Sequence, residues 1–183
     1  LYAGLAAAVG LDHRELGTAH DAEADVAVRV EATLALIAEG YDFVHLHTKR
    51  PDMAGHRKDP ARKTEVIKGI DRALAPLVPL VERGEIVVTV CPDHQTPSAG
   101  PLYHGGGAVP LLIAGGVAGA DSVTAYGETA CASGALGTLR GIDVLPLALD
   151  AADRTAFLAD RITGHLALGM PQPEDLRPLK ARG

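Results

Sequence analysis

Apolar positions along the chain fall into alternating helix-like and strand-like stretches. Val26, Val30, Leu34 and Ile37 recur at steps of four, four and three, which predicts one face of a helix. Asp21 is placed to cap that helix, which runs to about Glu39, and Gly40 to end it. Residues 41–46 are mostly apolar and predict a buried strand, followed by a polar loop over 49–60 punctuated by Pro51, Gly55 and Pro60. A second helix is expected from about Ala61, with Val66, Ile70, Leu74, Leu77 and Val81 on one face and its last turns shortened at Pro76 and Pro79. The β-branched run Ile86-Val87-Val88-Thr89-Val90 predicts a central strand. After a loop over 91–108, residues 109–114 predict a third strand, with Pro110 near its start and Gly115-Gly116 closing it. A short fourth strand over 122–125, a helix from about Glu128 to Leu139 and one or two helices over 148–168 complete the pattern.

Strand, loop and helix in alternation predict an α/β fold with a mostly parallel sheet and flanking helices. In such sheets ligands gather beyond the carboxyl ends of the strands. Residues 1–20 are rich in Ala and Gly and read as the end of a preceding segment, and the proline-dotted stretch 171–183 reads as a tail. The 183 residues suit one domain, and 47% hydrophobic residues suffice for a real core. With aromatics at 3% and no Trp, that core must be aliphatic. A net charge of −6 argues against a general nucleic-acid binder, which needs a basic face. Two cysteines, Cys91 and Cys131, stand forty residues apart outside any CxxC pair, and point to a reduced, cytoplasmic protein. No apolar run is long enough to span a bilayer and no stretch reads as a signal peptide.

The candidate chemistry is concentrated in three turns. Residues 45–56 hold His45, His47, Lys49, Asp52 and His56. Asp93-His94 follows the second strand-like run, and His104 precedes Gly105-Gly106-Gly107. Asp52 and His56 are four apart: on a helix they share a face, and on a turn Gly55 lets the chain fold tightly enough for both to reach one point. Asp93 and His94 are adjacent and point apart on an extended segment, which fits either a loop between two metals or one bent ligand pair. Mixed Asp/His ligation suits Zn²⁺, Mn²⁺ or similar ions better than Ca²⁺. Taken singly, each histidine reads as a surface or hydrogen-bonded residue, Asp93 as a turn former after Pro92, Lys49 as a solvated lysine, and the three glycines as a flexible hinge. The three turns together favour metal chemistry.

His47-x-Lys49-x-x-Asp52-x-x-Gly55-His56, then Thr89-Val90-Cys91-Pro92-Asp93-His94, then His104 before Val109-Pro110-Leu111, resembles the metalloenzyme part of the alkaline phosphatase superfamily. Within it, the chain is most similar to the cofactor-independent phosphoglycerate mutases of the archaeal type. Glu128-x-x-Cys131-x-x-Gly134-x-Leu136-Gly137 resembles a later segment of that family, and the likeness covers roughly residues 20–145.

The resemblance implies an alkaline-phosphatase-like, three-layer fold, incomplete here, with residues 21–170 as the carboxyl-terminal half of the core. It implies two divalent ions (Mn, Zn, Mg or Co). One would be held by Asp52, His56 and His104, the other by Asp93 and His94 with an upstream aspartate and a nucleophilic serine that have no match here. His47 and Lys49 match positions near a small phosphorylated substrate, where Lys49 acts as a point charge. Arg57-Lys58-Asp59 departs from the family's usual Asp-Gly after the histidine, which bears on the loop's shape and the substrate. The implied reaction interconverts 3-phosphoglycerate and 2-phosphoglycerate through a phosphoserine, with metal activating the serine and neutralising the phosphoryl oxygens. On this reading the 183-residue chain is inactive alone. A phosphate, phosphonate or sulfate ester hydrolase of the same superfamily, or a non-catalytic domain, are the alternatives.

Overall fold

The computed structural model describes residues 2–154, which form two compact units. The first comprises described residues up to 75 together with 96–103; the second comprises 76–95 and the described residues from 104 onward.

The first unit is helical. Helix α1 spans Tyr2–Ala8, within the stretch that the sequence marks as the end of a preceding segment. Helix α2, Ala22–Ala38, starts where Asp21 accepts the backbone N–H of Ala24 at 2.8 Å. It ends on Gly40, whose φ of 101° lets the Tyr41 and Gly40 N–H groups return to the Leu36 and Ile37 carbonyls. Val26 and Val30 are buried as the periodicity requires, whereas Ile37 is exposed.

Helix α3, Arg50–His56, stands where a polar loop is expected. Pro51 explains the correction: in the first helical turn proline gives up no needed N–H and its fixed φ suits the helix. Helix α4, Pro60–Leu74, follows almost at once, capped by Asp59 accepting from Arg62 N–H at 2.9 Å. Helices α2 and α3 both pack on α4. Ala22, Ala54 and Val66, one from each helix, form a small core with Ile70 against it.

Residues 41–46 correct a second expectation. They are irregular rather than a buried strand, and Phe43 is 49% exposed. A strand exists only through its ladder, and the sheet among the described residues consists of two strands that both lie in the second unit.

In the second unit, after a 3₁₀ turn at Ala75–Leu77, the short helix α5 spans Val78–Glu82. The helical run thus breaks up around Pro76 and Pro79, as expected. Strand β1, Val88–Val90, pairs with β2, Leu112–Ala114, in register Val88↔Ala114, Thr89↔Ile113 and Val90↔Leu112. The pair is antiparallel, whereas the sequence predicts a mostly parallel sheet. A parallel neighbour needs a crossover, usually a helix, and the described connection between β1 and β2 contains none.

The stretch 122–125 is not a strand: Asp121 accepts the N–H groups of Val123 and Ala135 at 2.8 and 2.9 Å, which satisfies the backbone locally instead. Helix α6 covers only Glu128–Cys131, because Gly134 and Gly137 disfavour its continuation toward Leu139. Helix α7, Gly141–Ala151, begins earlier than expected, capped by Asp143 through the Arg140 N–H, and packs on β2. The part of the helical stretch expected over 148–168 that lies beyond residue 154, and the tail 171–183, lie outside the described residues. No helix among the described residues is long and apolar enough to cross a membrane.

Candidate metal centre

Helix α3 decides between the two geometries open to Asp52 and His56: they share a helical face one turn apart. Asp52 Oδ1 lies 3.1 Å from His56 Nε2. Two ligands each about 2.0–2.2 Å from a divalent ion stand roughly this far from one another, so the pair fits one ion, and the same spacing serves an Asp–His hydrogen bond. Both residues are half-buried.

The segment 96–103 folds onto this face. The Thr96 hydroxyl donates to Asp52 Oδ1 at 2.7 Å. The Thr96 carbonyl accepts from Lys63 Nζ at 2.5 Å, and Lys58 Nζ donates to the carbonyls of Pro97, at 2.8 Å, and Leu102. Tyr103 stacks on the His56 ring, with centroids 3.9 Å apart and planes 20° apart. Thr96 itself is buried. Gly55 is required by this approach, since a Cβ there would stand 2.6 Å from the Thr96 carbonyl oxygen and 2.8 Å from its Cγ2.

Upstream of α3, the chain is pinned by Asp25, which is only 3% exposed. Asp25 accepts from Arg29 Nε and Nη2, both at 3.2 Å, and from the Thr48 hydroxyl at 3.0 Å, with Arg50 Nε at 3.8 Å. Burial alone would raise its pKa; the hydrogen bonds from Arg29 and Thr48, the positive charge of Arg29 and a backbone hydrogen bond from Ala19 together outweigh burial and hold it below the ordinary carboxyl value. Of the two expected substrate residues, His47 packs against the Tyr2 ring at 3.9 Å, and Lys49 is exposed at the cap position of α3. His45 is exposed.

In the second unit, Asp93 Oδ1 accepts the His94 N–H at 3.0 Å, and Asp93 Oδ2 lies 3.6 Å from His94 Nε2. Of the two arrangements open to these neighbours, this is the bent pair. His94 Nδ1 faces the Gln95 carbonyl at 3.3 Å, a contact of the kind that orients an imidazole ring. The His104 ring lies 4.1 Å from that of His94. The three glycines are not a loose hinge. They wrap Gln95, whose Oε1 accepts the Gly107 N–H at 3.2 Å and whose Nε2 donates to the Ala108 carbonyl at 3.0 Å, while Gly105 N–H meets the Gln95 carbonyl at 2.9 Å.

Sequence reasoning named the candidate ligands but missed Thr96, Tyr103, Lys63, Asp25 and Gln95. These residue types are ordinary and their roles arise from contacts distant in sequence. The one local signal was that Gln95-Thr96 directly continues the Asp93-His94 motif.

The chain is similar to known proteins. The curated relatives include a 2,3-bisphosphoglycerate-independent phosphoglycerate mutase of Thermococcus kodakarensis, 35% identical over 156 residues, covering 85% of this chain and 38% of the relative. A second enzyme of that name, from Methanocaldococcus jannaschii and numbered 2, is 34% identical over 177 residues, covering 96% of this chain and 38% of the relative. Among solved structures, the PH0037 protein from Pyrococcus horikoshii superposes with a TM-score of 0.76 at 34% identity, covering 87% of this chain and 48% of that one. The chain therefore spans well under half the length of the curated relatives it matches. A family model described as the Metalloenzyme superfamily matches residues 16–151, and the chain belongs to that superfamily.

Proposed function

We propose that this chain is the carboxyl-terminal, metal-holding part of a cofactor-independent phosphoglycerate mutase, which interconverts 3-phosphoglycerate and 2-phosphoglycerate. The observation that carries the reading is the Asp52–His56 pair, one helical turn apart with ligand atoms 3.1 Å from each other, in a chain of the Metalloenzyme superfamily. The names of the curated relatives supply the reaction.

Asp52, His56, His104, Asp93 and His94 are the proposed ligands of two divalent ions, with Mn²⁺ the first to test. When bound, the ions would lower the pKa of a serine hydroxyl and offset charge on the transferred phosphoryl group. That serine is not matched in this chain and is assigned to the remainder of the longer protein, as is the completion of a three-layer, mostly parallel sheet. On this reading 21–170 form the carboxyl-terminal half of the core. His47 and Lys49 are the proposed substrate contacts, with Lys49 meeting a phosphate as a point charge and His47 held in place by the Tyr2 ring. The proposed setting is the cytoplasm, where the substrate is a small phosphorylated acid.

The test is a phosphorus NMR assay of the full-length protein with 3-phosphoglycerate and Mn²⁺. Appearance of 2-phosphoglycerate without release of inorganic phosphate is expected, and is to disappear with chelator. Release of phosphate in its place would reassign the protein to an ester hydrolase. The isolated 183 residues are expected to be inactive, and turnover by them would overturn the assignment of the nucleophile to the missing portion.

A further inference from the structure

We infer that Thr96 is a positioning residue for the candidate ligand Asp52, holding its carboxylate in the orientation that metal binding needs; the inference rests on the metal-site reading above. Thr96 is buried, at 5% exposure, and its hydroxyl meets Asp52 Oδ1 at 2.7 Å. The same oxygen faces His56 Nε2 at 3.1 Å, so the hydroxyl acts on the atom that joins the two ligands. A hydroxyl that donates to a carboxylate oxygen fixes rotation about the Cβ–Cγ bond and directs the remaining lone pairs.

Thr96 is in turn held from two sides. Its carbonyl accepts Lys63 Nζ at 2.5 Å from α4, and its methyl and carbonyl rest against the bare Cα of Gly55 on α3. The clamp thus comes from the helix that carries the ligands and from the helix that supports it. A threonine held only by packing would need no donor aimed at Asp52; valine has nearly the same shape and would fill the space as well.

The experiment is a set of Mn²⁺ titrations on the purified protein by isothermal calorimetry and electron paramagnetic resonance, with unfolding temperatures measured in chelator. Thr96→Val is expected to weaken Mn²⁺ binding about 10- to 100-fold, and Thr96→Ser, which keeps the hydroxyl, to stay within about threefold of the wild type. A residue with only a packing role would shift the metal-free unfolding temperature without changing the affinity of the folded protein. If Thr96→Val does not fold, Thr96→Ala replaces it in the comparison with Thr96→Ser. Asp52→Ala separates the two claims. If Asp52→Ala loses Mn²⁺ and Thr96→Val binds like the wild type, the Thr96 assignment falls and the metal site stands. If Asp52→Ala binds as the wild type does, the site reading falls and takes the Thr96 assignment with it.

Discussion

Gly55 and Thr96 meet so closely that the smallest side chain at residue 55 would place a carbon 2.6 Å from the Thr96 carbonyl oxygen. The nearest atom is a backbone carbonyl oxygen, and beside it stand the Cγ2 and Cβ of the short, β-branched Thr96, so no long flexible side chain is there to swing away. Gly55→Ala should therefore push residues 96–103 off α3. Overpacking of this kind costs about 1–3 kcal/mol, and the loss should appear in urea unfolding together with weaker Mn²⁺ binding. A stability equal to that of the wild type would show that the segment yields freely.

Asp25 carries a second expectation, about acid stability. Its carboxyl is held below the ordinary value, so its contribution to stability is complete above the unfolded pKa of about 4 and is lost as pH falls through the folded value. Unfolding of the wild type should grow easier below about pH 4, and Asp25→Asn should flatten that acid limb while lowering stability at neutral pH. Removing one partner from a buried charge cluster costs about 3 kcal/mol. An unchanged acid limb in Asp25→Asn would assign the dependence to other carboxylates.

Gln95 makes a third case. Its amide joins the Gly107 N–H and the Ala108 carbonyl and is the frame around which residues 105–108 turn. Gln95→Ala should cost about 1–2 kcal/mol and broaden the His104 ring signals in NMR spectra. Gln95→Glu keeps the acceptor, loses the donor, and should fall between.

Metal supplies a fourth. A ligand that binds only the folded chain stabilises it by about 2.7 kcal/mol at a hundred times its Kd. Mn²⁺ or Zn²⁺ should raise the unfolding temperature, chelator should reverse the rise, and His56→Ala or His94→Ala should each reduce it. Full thermal protection of both variants would remove these histidines from the ligand set.

The parts of the fold legible in the sequence were those written in local signals. Asp21 and Gly40 delimit α2 because a cap and a left-handed glycine act within one turn of their own position. The parts that were not legible depend on partners. Residues 41–46 have the composition of a strand, yet composition cannot supply a ladder. The return of the chain from β1 to β2 reversed the expected strand sense because the intervening loop forms no helix. Among the candidate ligands, Asp52, His56, Asp93, His94 and His104 stood out because three turns bearing Asp and His recur along the chain. Thr96 and Lys63 gave no such sign: their importance is a matter of where they end up, 44 and 33 residues from Asp52 and Thr96 respectively.

The eight residues 96–103 belong to the first unit although the chain on both sides of them belongs to the second. Neither unit can then be excised by a single cut. A truncation after residue 75 would keep all of α2, α3 and α4 but strip away the tyrosine that covers His56 and the hydroxyl on Asp52. A gene split intended to separate the halves would do better to graft 96–103 back through a short linker than to trust any one boundary.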